Sequence, residues 1–114
     1  MVITMTTQKC LFDFNCEELI QLKELRQNEI ASVYFKLVMA EAELKDSENS
    51  LWLNTDFKAL SLTNDKMRSA FVSDHTKRAR FEINTLKYEL KQQENLLVII
   101  NDLIKLRLQE VKTE

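Results

Sequence analysis

Apolar residues recur every three or four positions along most of this chain, a spacing that predicts two long amphipathic helices. The clearer stripe lies late. Ile83, Leu86, Leu90, Gln93, Leu97, Ile100, Ile104 and Val111 hold the spacing, with mostly charged or polar residues between them. The earlier stripe passes through Ile30, Val33, Leu37, Ala40, Leu44, Ser47 and Leu51, and Leu19, Leu22 and Leu25 form a drifting continuation upstream. Tyr34, Phe35, Val38 and Met39 widen it in the middle, which implies contact with more than one neighbour. A helix cannot bury its stripe against itself, so each stripe is expected to cover the other.

The helix ends are marked by residues with capping chemistry. Asn15 suits an N-cap, Glu18 sits three residues on to complete a capping-box pair, and Phe14 with Leu19 has the spacing of a hydrophobic staple. Helix one is therefore read over 15–53, after an N-terminal arm at 1–14 in which Met5 offers a second start. Asparagine is the best substitute for glycine in a left-handed C-cap, so Asn54 is expected in that role. The connector is 54–63, where Thr55 is expected to cap a short turn over Asp56–Leu60. Thr63 then reads as the N-cap of helix two, 64–112, with Leu62 and Met67 as a second staple. Val72, Thr76 and Ala79 continue the late seam with smaller groups, and a break around Ser73–Thr76 fits that softening. At 1.5 Å per residue the helices would measure roughly 57 Å and 70 Å.

These elements predict an all-α chain, a single domain built as a long antiparallel, coiled-coil-like hairpin. Leu96 to Ile100 is apolar most of the way around the helix, more than one partner helix can cover. A dimer forming a four-helix bundle would cover it, with Leu90, Leu97, Ile100 and Ile104 along the oligomer seam. The competing arrangement is a monomer whose arm and connector fold back over the stripe.

Composition narrows the chemistry. The 114 residues include no glycine and no proline. P-loops, dinucleotide fingerprints and nucleophile elbows need glycine where the backbone turns tightly or approaches a phosphate, so none is present. Cys10 and Cys16 are too few for a disulfide framework or a zinc site. His75, the only histidine, has no second histidine or cysteine at ligand spacing. No cofactor, no metal and no catalytic residue is expected, and the chain reads as no enzyme. No apolar run approaches the roughly 20 residues that span a bilayer, and no secretory signal is visible, so a cytoplasmic location without membrane association is expected.

Charge is unevenly placed. Residues 13 to 48 carry nine acids against four bases, while 66 to 91 carry seven bases against three acids. Two helices attracting one another across their flanks explain this asymmetry. A contact patch for phosphates or an acidic protein around Lys77, Arg78 and Arg80 is the functional alternative, although no aromatic platform is evident among those bases. A second concentration is apolar: Leu51, Trp52, Leu53, Phe57, Leu60, Leu62, Met67 and Phe71 gather at the turn. They serve either as a plug for the bundle end or as an anchor for a partner, with Trp52 and Phe57 the leading contacts.

The stretch Leu53-Asn54-Thr55-Asp56-Phe57, followed by Leu62-Thr63-Asn64-Asp65, Arg68 and Ala70-Phe71, resembles a pattern in small helical proteins of phages and prophages of Gram-positive bacteria. Ser61 stands where those proteins often carry glycine. The resemblance covers residues 53 to 72, implies an early or accessory phage product in the bacterial host cytoplasm, and assigns no site residues. Together these readings point to a non-enzymatic accessory protein that works through protein–protein contact, as an adaptor or inhibitor of host or phage nucleic-acid machinery or of host defence. Direct nucleic-acid binding through the basic patch, and a purely structural coiled-coil spacer, are the alternatives.

Overall fold

The computed structural model describes residues 11–113, apart from the side chains of residue 12 and residues 111–113. Three α-helices are present: α1 (Cys16–Asn54), α2 (Asp65–His75) and α3 (Lys77–Thr113), preceded by one 3-10 turn at Leu11–Asp13. No strand occurs among the described residues. The described residues are all-helical, in keeping with the periodicity and the lack of glycine and proline. Its contacts group into two compact units, Met1–Ser32 with Leu90–Glu114, and Val33–Glu89. Most of the expected arm, with Cys10 and the choice of start at Met1 or Met5, lies outside the described residues, as does the Val111 side chain.

In the first unit, the beginning of α1 pairs with most of α3. The start of α1 forms as its residues dictate. The Asn15 N–H donates to Glu18 Oε1 at 3.1 Å and the Glu18 N–H donates to Asn15 Oδ1 at 2.8 Å, a complete capping box. Phe14 packs on the cluster of Leu19, Ile100 and Leu103, which also gathers Leu11, Leu22 and Ile104. Arg107 Nε donates to the Phe14 carbonyl at 3.1 Å and Arg26 Nη1 donates to Gln93 Oε1 at 2.9 Å. Residue numbers rise on one helix as they fall on the other, so the pairing here is antiparallel. The upstream seam runs through Leu22 and the half-buried Arg26, whereas Leu25 is turned outward. The drift expected there is absent, because the three-four step continues straight through a charged residue.

In the second unit, Val33, Leu37, Val72 and Ile83 are buried together with the polar Thr76. The connector corrects three expectations. Asn54 ends α1 without a left-handed backbone; among the described residues outside glycine, only Ser61 has positive φ, at 60°. The Leu62 N–H donates to Phe57 O at 2.9 Å and the Ser61 N–H to Lys58 O at 3.1 Å, which is the paired closure of a Schellman motif with serine at its left-handed position. The short turn is capped by Asp56, whose Oδ1 accepts from the Ala59 N–H at 3.1 Å, and not by Thr55. Asn64, and not Thr63, caps α2, accepting from the Met67 N–H at 2.8 Å. Asparagine outranks threonine at this position, and the one-residue shift removes the Leu62–Met67 staple. Thr63 Oγ1 instead lies 3.9 Å from Met67 Sδ, and Arg68 Nε donates to Leu62 O at 3.0 Å.

Ser61 is the costliest backbone position. A left-handed side-chain-bearing residue costs roughly 1–2 kcal/mol, while glycine there gives back roughly 0.5–1 kcal/mol through its freer unfolded state. Ser61→Gly is therefore expected to add about 0.5–1 kcal/mol and raise the thermal midpoint by about 2–5 °C. A melt followed by circular dichroism checks this, and an unchanged or lower midpoint would contradict it.

Helix two is not continuous. Thr76, at φ −112° and ψ 9°, separates α2 from α3. Its Oγ1 donates back to the Val72 carbonyl at 2.8 Å, the local bond by which threonine bends helices. The Arg80 guanidinium then bridges the break, bonding Thr76 Oγ1 and the Ser73 carbonyl, with Ser73 Oγ at 2.9 Å. The expected single helix over 64–112 is thus two helices, and the Thr76 hydroxyl and the Arg80 guanidinium supply the cause of the break.

Candidate functional site

The residues named from sequence fall in three places. At the turn of the second unit, four rings form a chain. Trp52 and Phe57 have centroids 5.4 Å apart, Phe57 meets Phe71 edge-on at 5.9 Å, and Phe71 lies 4.0 Å from the His75 ring. The Arg68 guanidinium sits 5.6 Å from the Phe57 centroid. Phe57 is half-buried, with the rings of Trp52 on α1 and Phe71 on α2 and the Arg68 guanidinium around it. Trp52 keeps part of its surface outward, and its neighbour Leu53 is 83% exposed. The ring contacts rigidify the turn, and Leu53, Leu60 and Met67 leave an apolar outer surface on it.

His75 is held by this chain. Its Nδ1 is 2.9 Å from the Phe71 carbonyl, and it borders an open hollow with Asp46, Ser47, Ser50 and Leu51. That hollow holds a serine pair and one carboxylate but no cysteine, and the imidazole is already turned to the backbone. Among the described residues, no group of three or more His, Cys, Asp and Glu could hold a metal. Cys16 lies in the first unit, lining a hollow with Asp13, Asn15, Arg107 and Glu110. Arg107 there clamps the chain entering α1 and reaches Glu110 at 3.4 Å.

The three predicted bases have different surroundings. Arg80 is occupied by the break at Ser73–Thr76. Lys77 is exposed, and Arg78 is almost fully so, with Glu82 at 3.9 Å, a separation at which a solvated pair contributes little. Two residues that the sequence reading passed over stand on the same face. Phe81 is 70% exposed and Tyr88 67%, four and eleven positions after Lys77. Two exposed rings therefore lie along the helix beyond the bases. The signal was present: Phe81 and Tyr88 are seven residues apart and out of phase with Ile83, Leu86 and Leu90.

The third place is the helix pair of the first unit. Ile100 is 1% exposed inside the chain's own core, and Leu90, Leu97 and Ile104 are half-buried. The residues left outward are their neighbours: Val98 at 58%, Ile99 at 45%, and Leu106, Leu108, Ile20 and Leu25 near half. On the second unit's stretch of α1, Tyr34, Phe35, Val38 and Met39 are likewise exposed. These positions lie off the seam on the flanks and back of each helix, where a three-four count of the main stripe does not look.

No family model, no curated protein and no solved structure matches this chain.

Proposed function

We propose that the chain is a non-enzymatic accessory protein of phage type that acts through protein–protein contact, first with a second copy of itself and then with a component of the host or phage machinery. One observation carries the reading. The helix pair of the first unit has filled its own seam and still presents Val98, Ile99, Leu106, Leu108, Ile20 and Leu25 to solvent. Apolar side chains at that density, on both sides of a helix pair, are what a four-helix assembly covers. No helix of the described residues is long and apolar enough to cross a membrane. The phage-type accessory role rests on the resemblance of residues 53–72, in which Ser61 replaces the usual glycine and still takes the left-handed backbone. Mass in solution tests the self-contact. Light scattering is expected to give a dimer, and a monomer at micromolar concentration would refute it.

A further inference from the structure

We propose that the outer face of α3 from Lys77 to Tyr88 is a stacking platform for single-stranded nucleic acid. Phe81 and Tyr88 are seven residues apart, so they project from the same face two helical turns from one another, roughly 10.5 Å along the axis. Both rings are exposed by two thirds or more. Lys77 stands four residues before Phe81, in line with both rings, and Arg78 lies beside it. Asn84 and Thr85 separate the rings, and Lys87 flanks Tyr88; all five of these residues are exposed.

The surroundings of the rings favour a nucleic acid over a protein groove. A helix that docks into an apolar groove surrounds its anchors with further aliphatic groups. Here Ile83 is buried and Leu86 half-buried, leaving the rings set in polar neighbours: the bases Lys77, Arg78 and Lys87, the Asn84 amide, the Thr85 hydroxyl, and the two carboxylates of Glu82 and Glu89. Isolated flat rings among bases are the elements by which single strands are held: nucleobases stack on the rings and phosphates meet the cations. Beside Phe81 lies an open hollow of about 330 Å³, lined by Phe81, Glu82, Thr85 and Leu86. A planar base laid on the Phe81 ring would enter it, where the Glu82 carboxylate can accept from a base donor, the ring imide N–H of thymine or uracil or an exocyclic amino group. Lys77, Arg78 and Lys87 supply about three phosphate contacts, so log affinity should fall with log salt at a slope of roughly −2. Residues 77–88 belong to the second unit and the proposed self-contact uses residues of the first, so either proposal can fail without the other.

The test is fluorescence anisotropy with labelled oligothymidylate and oligouridylate, against a duplex of the same length, at low and at moderate salt. Single strands are expected to bind at low salt and to release as salt rises. Phe81→Ala and Tyr88→Ala should each weaken binding roughly tenfold with unchanged circular dichroism, since both rings are exposed. Lys77→Glu with Arg78→Glu should abolish it. No anisotropy change at low salt, equal affinity for the duplex, or binding indifferent to the two alanine substitutions would overturn the proposal. An acidic protein as the true occupant would appear as the first of these.

Discussion

Ile100→Asp is expected to unfold the helix pair of the first unit, not merely to separate two chains. Ile100 is 1% exposed and packs with Leu19 and Leu103 in the cluster of buried residues that α1 and α3 build there. Removing the aliphatic side chain alone costs roughly 2–5 kcal/mol. An uncompensated carboxylate in that position adds several more, or forces the group to stay protonated. A typical domain has only about 5–15 kcal/mol in total. Far-ultraviolet circular dichroism should show lost helix at room temperature, whereas Ile100→Ala should fold with a lowered midpoint. Full helicity and an unchanged melt in the aspartate variant would mean that Ile100 is not in the core.

The second large effect has a sign that depends on the partner. Arg26 occupies a seam position and gives Nη1 to Gln93 Oε1, while its Nε is buried without an acceptor among the described atoms. Gln93→Leu strands the guanidinium and is expected to destabilise by about 1–3 kcal/mol. Arg26→Leu with Gln93→Leu removes both polar groups and the unsatisfied Nε together, and should be neutral or stabilising by about 1–2 kcal/mol. Chemical denaturation of the two single variants and the double variant closes the cycle. A double variant less stable than either single one would show that the pair contributes more than an apolar layer would. The polar layer persists, on this account, because it favours one alignment of the two helices over shifted ones.

Fold class was legible because it rests on period and composition. Three-four spacing and the absence of glycine and proline leave little but long helices, and the seam from Val72 through Ile104 is buried or half-buried along its length. The Asn15–Glu18 box was legible because its partners are three residues apart. The connector was not, because competing polar residues sit side by side. Thr63 and Asn64 can each cap a helix, as can Thr55 and Asp56, and backbone geometry chooses between neighbours. Ser61 was the hardest, since serine carries no signature of a left-handed backbone. At the candidate site, the bases were visible as a charge run, but the commitment of Arg80 to the break and the exposure of Phe81 and Tyr88 depend on which way each residue faces.

We propose a division of labour within α3, in which one side fills the chain's own seam and the neighbouring side meets a second copy. Light scattering combined with circular dichroism on three proteins tests that directly. The natural chain should be a helical dimer, Val98→Asp with Ile99→Asp a helical monomer, and Ile100→Asp largely unfolded. A natural chain that is monomeric at micromolar concentration, or a Val98→Asp with Ile99→Asp variant that remains dimeric, would contradict it.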